Sequence, residues 1–297
     1  MQQLLTTKQV AKAIGISESS LKRWCDADKI PSIRTAGNHR RLRLTDIVEL
    51  VRAGNLELQS PEALGLPSNS GSGKWTFDRG RSDLYTAIAA GNAEALNQIL
   101  FDLFLSGGSV AKICDDVITP ALHHVGSEWE AGKIDVYQER LGTNLVARAL
   151  YRLQQTLPRA VHNAPLALGG SIENDSYTIP TLMAELVLHE AGFQATSLGS
   201  NLPLETLTSA VLTKRPRIMW LSLSAIEDNA SFIKSYSKFF EQSSQHSAIV
   251  VGGRAITAPI RKQMQATAFC NNMLDLANFA KALRPQPPGD PGSTSVN

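Results

Sequence analysis

The feature that most constrains this chain is an alternation that begins after Pro158. Four short apolar runs, Ala164-Pro-Leu-Ala-Leu-Gly, Gln194-Ala-Thr-Ser-Leu-Gly, Ile218-Met-Trp-Leu-Ser-Leu and Ala248-Ile-Val-Val-Gly-Gly, are each followed by a stretch with helical spacing: 181–191, 204–212, 232–240 and 260–268. A hairpin leaves no room for such helices, whereas a crossover of this length joins parallel strands. Residues 158–284 are therefore expected to form a doubly wound parallel sheet of the α/β Rossmann-like (flavodoxin-like) kind. Ligands of such sheets sit at the carboxyl ends of the strands, so the loop at 173–180, directly after the first strand, marks the expected site.

Ahead of this segment, residues 79–157 have a 3.6-residue apolar period with breaks at Gly91-Asn92, Gly107-Gly108 and Gly132. That pattern predicts a four-helix-type bundle of four or five helices. Residues 56–78, with Leu66-Pro-Ser-Asn-Ser-Gly-Ser-Gly and almost no periodicity, are expected as a flexible linker, and residues 285–297 as a disordered tail.

The first 55 residues read differently again. Thr6-Thr-Lys-Gln9 has capping-box spacing and opens a short helix that Gly15 ends; Ser17 suits the cap of a second helix carrying Leu21 and Trp24. Gly37-Asn38 suits the turn of a basic hairpin over 33–42, and Thr45-Asp46 is expected to cap a third helix. Residues 1–54 hold ten lysines and arginines against five acids, whereas the remainder holds nineteen against twenty-two. A compact basic head on a slightly acidic body fits a phosphate-binding module attached to a regulatory body.

Opening Thr-x-x-x-Val-Ala-x-x-x-Gly-Ile-Ser, the Leu-x-x-Trp of the second helix and the Gly-Asn-His-Arg-Arg wing together resemble the winged helix-turn-helix of MerR and excisionase-like regulators. The resemblance implies double-stranded DNA as partner, with Ser19, Ser20, Lys22 and Arg23 toward the major groove and Arg34, His39, Arg40 and Arg41 toward phosphates or the minor groove. A small basic protein-interaction domain is the bland alternative.

In the bundle, Ile118-Thr-Pro-Ala-Leu-His-His-Val-Gly-Ser-Glu-Trp-Glu and the following Gln138-Glu-Arg resemble the cap of cobalamin-dependent, light-responsive repressors. That family places Trp and, ten positions on, Glu-His around the ligand; Trp129 and Glu139 keep the spacing, but the histidine is Arg140. The histidine that follows the Trp in those photoreceptors is Glu130 here. The α/β segment is similar to the cobalamin-binding domain over most of its length. Asp175 stands on the family's Asp, Tyr177 on its cobalt-ligating His and Pro180 on its Gly, while Ser224 and Gly252-Gly253 keep the positions against which the nucleotide tail packs.

These substitutions point one way. An imidazole oriented by a carboxylate is a good donor to cobalt, a neutral phenol a poor one. Pro180 closes the φ > 0 conformations and removes an N–H. The expectation is a one-component transcriptional regulator, not an enzyme, with a degenerate cobalamin-type body that oligomerises and takes another small-molecule ligand or a protein partner. No cofactor and no metal are expected, with cobalamin or another tetrapyrrole as the alternative. A light-responsive adenosylcobalamin repressor is the second reading and a corrinoid carrier or methyl-transfer protein the third. No nucleophile–His–acid set, zinc spacing or phosphate loop stands out. Three scattered cysteines form no framework, and no apolar run is long enough to span a bilayer, so a cytoplasmic protein is expected.

Overall fold

A computed structural model describes residues 3–284 apart from 159 and 162; the expected tail at 285–297 lies outside the described residues. The head comprises β1 (Leu4–Thr6), α1 (Thr7–Ala13), α2 (Glu18–Asp26), β2 (Ile33–Arg34), β3 (Arg40–Arg43) and α3 (Leu44–Arg52). Thr6 accepts from the Gln9 amide and Gln9 reaches back to the Thr6 N–H, so the capping box forms as read; Ser17 caps α2 through the Ser20 N–H. The third helix differs from expectation. It begins at Leu44 after an Arg43 with no side-chain cap, because Arg43 is the last residue of β3 and the chain turns directly from strand into helix. Strand β1 had no apolar alternation to announce it; it pairs with β3, Leu5 opposite Leu42, and both leucines close the head's core.

The stretch expected as a flexible linker is packed instead. Residues Pro61–Leu64 form a single 3-10 turn, and Leu64, Leu66, Ser70 and Trp75 are buried. Its polar backbone is satisfied by the body: buried Asp102 accepts from Ser72 Oγ, Gly73 N and Trp75 N at 3.0–3.1 Å. On the head side, Gln59 N and Ser60 N donate to Ala13 O. Composition alone reads this as coil because its few large apolar residues carry no period, yet Leu64, Leu66 and Trp75 join the buried core that runs through head and bundle.

The bundle consists of α4 (Phe77–Ala89), α5 (Ala93–Leu105), α6 (Val110–Ile113), α7 (Thr119–Glu130) and α8 (Val136–Gln154), with a π-helical turn at Cys114–Ile118 joining α6 to α7. Asp115 on that turn reaches into the next domain, accepting from Met273 N and Leu274 N at 2.9 Å.

The α/β segment runs β4 (Leu166–Gly170), α9 (Ile179–Glu190), β5 (Gln194–Ser197), α10 (Leu204–Lys214), β6 (Ile218–Ser222), α11 (Asn229–Ser243), β7 (Ala248–Gly252), α12 (Ala258–Arg261), β8 (Ala268–Cys270) and α13 (Met273–Leu283). All five strands are parallel in the order β5-β4-β6-β7-β8. The helix expected over 260–268 is a single turn at Ala258–Arg261; Ala268-Phe-Cys leaves it to pair with Val250–Gly252 as an edge strand, and α13 follows. One face of the sheet packs under α9, α13 and the bundle, the other under α10 and α11.

Candidate functional site

On the head, α2 presents one polar face. Ser19, Lys22 and Arg23 are exposed; the Ser17 hydroxyl lies 2.9 Å from those of Ser19 and Ser20, and Arg23 donates to Ser20 Oγ at 3.2 Å. Lys22 pairs with Glu18 at 3.0 Å, and the Thr7 hydroxyl beside that carboxylate, with Lys22, holds it below its usual pKa. The wing turns through Asn38, which adopts φ of 59° and accepts from Arg34 at 2.9 Å; His39 and Arg34 are exposed. Arg40 departs from the sequence reading. Its side chain is only 12% exposed, donates to Lys22 O at 2.8 Å and forms an ion pair with Asp26. It straps the wing to α2 and is not presented to a phosphate. Arg41 is half-buried and donates to Arg40 O.

In the sheet, the order reverses between β4 and β6, and their carboxyl ends form the switch point at which doubly wound folds bind ligands. The glycines of β4 beside it are closely packed. Gly169 of β4 lies opposite Trp220 of β6, and a Cβ at Gly169 would collide with the Trp220 indole. Trp220 is 2% exposed and donates to Thr181 Oγ1, in the first turn of α9, at 3.0 Å. On the other side, a Cβ at Gly170 would meet Gly199 O at 2.7 Å and Leu202 Cδ1 at 2.8 Å.

The loop that follows β4 is equally occupied. Asp175 is fully buried, and its carboxylate accepts from the backbone N–H groups of Tyr177 at 3.0 Å, Ser224 at 2.6 Å and Ala225 at 3.3 Å. The Tyr177 ring is 46% exposed and lies under the Arg254 guanidinium, 4.7 Å from the ring centroid, while Arg254 Nε donates to Ser224 O. The Gly252-Gly253 pair serves the crossing of strand ends: a Cβ at Gly252 would meet Cys270 O at 2.9 Å, and one at Gly253, where φ is 119°, would strike the Leu223 backbone.

In the cap, Trp129 is 46% exposed, Glu130 and Arg140 are exposed, and Glu139 accepts from Thr143 at 3.0 Å with Arg140 Nε 3.5 Å away. Among the described residues no hydrogen bond, ion pair or ring contact joins these four to the Tyr177 loop. His123 and His124 are exposed, His124 against the Tyr85 ring. Sequence reasoning missed Trp220, Thr181 and Arg254; the one available signal was a tryptophan inside an otherwise aliphatic buried strand.

A corrinoid held from below needs a basic donor oriented by a carboxylate and an open channel beside it for the nucleotide tail. The donor here is a phenol under a guanidinium, the carboxylate is spent on three backbone N–H groups, and both switch-point glycines face protein atoms. These residues do not fit the group.

The fold and the two sites define a helix-turn-helix domain joined to a cobalamin-domain body, and comparison with known proteins agrees. Residues 4–55 match a family model described as a helix-turn-helix domain, and residues 81–154 one described as a B12 binding domain. The chain is homologous, at modest identity, to two Myxococcus xanthus proteins. It is 28% identical over 175 residues to the HTH-type transcriptional repressor CarH, covering 59% of this chain and 58% of that one. It is 25% identical over 226 residues to the repressor CarA, covering 73% and 76% respectively. The aligned part thus spans less than two thirds of CarH. Among solved structures, the Methanosarcina barkeri monomethylamine corrinoid protein superposes with a TM-score of 0.59 at 18% identity over 70% of this chain and all of that one, which establishes the corrinoid-protein fold for the bundle and sheet.

Proposed function

We propose that this chain is a one-component, non-enzymatic transcriptional regulator: the head reads double-stranded DNA, and the body is a cobalamin-domain scaffold whose ligand crevice is filled by its own side chains. The observation that carries the reading is the exposed Ser19-Lys22-Arg23 face of α2 beside the basic wing, on a chain whose switch-point Gly169 is covered by the buried Trp220 indole. Ser19, Ser20, Lys22 and Arg23 contact the major groove, and Arg34, His39 and Arg41 the flanking phosphates. That both curated relatives are repressors supports regulation over corrinoid carriage.

A head this small buries too little surface for tight binding alone, so the body self-associates to present two heads to one operator. The solvent-facing part of the body receives a non-corrinoid ligand or a protein partner, Arg140 and Arg254 favouring an anionic one. Among the described residues no helix is long and apolar enough to cross a membrane, which fits a cytoplasmic protein.

The test uses the full chain, purified from cells supplied with cobalamin and haem, to select from a random duplex pool in the dark and under green light. A colourless protein that enriches a repeated half-site, with salt-steep affinity indifferent to light and cobalamin, is the expected result. A red protein whose DNA binding changes under light replaces this reading with the photoreceptor. Failure to enrich any sequence sinks the regulator.

A further inference from the structure

Arg52, in the last turn of α3, does work that neither DNA recognition nor the crevice explains. Its guanidinium lies 3.8 Å from the centroid of the Phe104 ring, donates to Phe104 O at 2.6 Å and Gly108 O at 2.9 Å, and pairs with Glu190 Oε1 at 3.1 Å. The second oxygen of Glu190 accepts from Val110 N at 2.8 Å, the first amide of α6. One ion pair therefore ties head, bundle and α/β domain together. Both side chains are less than a quarter exposed, and burial lowers the pKa of Arg52 and raises that of Glu190, as for charges taken out of water. An Arg–carboxylate pair of this kind is directional: the planar fork is satisfied in one orientation and lost when either partner rotates.

Glu190 is the last residue of α9, the helix that starts at the loop bearing Tyr177. Thr181 in its first turn is fixed by Trp220 and Ser197, and its far end holds Arg52. Twelve residues of helix make a stiff rod of about 18 Å, so a shift of the loop end is delivered at the Arg52 end and not absorbed between them.

We propose that the Arg52–Glu190 pair is a latch that fixes the DNA-binding head on the body, and that α9 carries the state of the Tyr177–Arg254 rim to it. The latch stands on its own geometry; only its consequence for operators rests on the regulator reading.

Nitroxide labels at Glu49→Cys and Gln242→Cys in a Cys270→Ser background, both on exposed positions, report the head-to-body distance in the full chain. The parent gives one narrow distribution, and Arg52→Lys broadens it at least twofold while Val110 amide exchange quickens at least tenfold. Glu190→Gln, which keeps the shape and drops the charge, gives the same change in smaller degree. Arg254→Ala shifts the distance in the parent but not in the Glu190→Gln background. A broad parent distribution, or a narrow one unchanged in both Arg52→Lys and Arg52→Ala, overturns the latch; an Arg254→Ala variant that leaves the parent distance unmoved overturns the coupling through α9. A parent that keeps the narrow distance and binds no DNA would sink the regulator reading and leave the latch standing.

Discussion

The face of α2 and the carboxyl end of the sheet are both places where such folds meet their ligands, and they are built in opposite ways. On α2, serines and basic side chains stand in solvent, held only by one another or by a single carboxylate, Glu18. At the sheet end, a buried indole and a buried carboxylate are each consumed by protein, Trp220 by Thr181 and Asp175 by three backbone amides, and the exposed Arg254 guanidinium is held over Tyr177 by its bond to Ser224 O. Buried polar groups must find partners, whereas exposed ones have water until a ligand displaces it. A surface poised for binding and a site closed by its own residues are thus distinguishable by where their hydrogen bonds end.

The strongest way to break this comparison is to empty the sheet end. Trp220→Ala removes a fully buried indole and its hydrogen bond, and unfolding in denaturant should show a loss of about 3–5 kcal/mol. A loss below about 1 kcal/mol would mean the indole sits in a crevice that solvent already enters. On the head, Arg34→Ala and Arg41→Ala should each lower the slope of log affinity against log salt by about one phosphate contact. Arg40→Ala should instead lower the melting temperature, since its partners are Lys22 O and Asp26; a salt slope reduced with stability intact would return it to the DNA surface.

A third change sharpens the comparison from the cofactor side. Sequence reasoning alone expects Tyr177→His with Pro180→Gly to raise cobalamin affinity, because the Asp and the double glycine survive. The packing reverses that expectation: the rebuilt imidazole would find Asp175 already engaged by three backbone N–H groups and Gly169 covered by Trp220, so an absorbance titration should show less than a tenfold gain, under about 1.4 kcal/mol. Anything larger would reopen the corrinoid reading. The smallest effect is one of pH. Burial raises the pKa of Glu185, opposed by its hydrogen bond from Gln154 at 2.8 Å. The folded state therefore holds this proton more tightly than the unfolded chain, and the associated stability is present below the ordinary value near 4.5 and lost as pH rises through it toward the raised one. Glu185→Gln should flatten that fall in denaturant midpoint between pH 4 and 7, measured as a difference from the parent; identical slopes would show that water reaches the group.

Much of this was legible in the sequence because it rests on local rules. The capping box at Thr6, the Ser17 cap, the Gly37-Asn38 turn and the alternation after Pro158 each specify their element from neighbouring residues. What stayed hidden depends on distant partners. Strand β1 is three residues long and exists because β3 offers it an edge; Trp75 and Leu66 look like stray apolar residues until Asp102 and the bundle are beside them. Arg40 shares its type with its exposed neighbours, and only the position of Asp26, fourteen residues away, turns it inward. The site followed the same division: chemistry at Tyr177 and Pro180 could be read by position, but the plug at Trp220 required knowing that Gly169 lies across from it.

The carboxylate of Asp115 bears on where this molecule can be divided. It lies on the π-helical turn of the bundle, yet it closes the first turn of α13, the final helix of the α/β domain. Cutting the chain near residue 157, where the apolar period changes, would leave two opening amides of that helix without an acceptor and expose the bundle's face of α9. Bundle and sheet should accordingly melt as one transition, and a fragment excised at the change of period would lack part of its own helix cap: the seam in the sequence is not a seam in cooperativity.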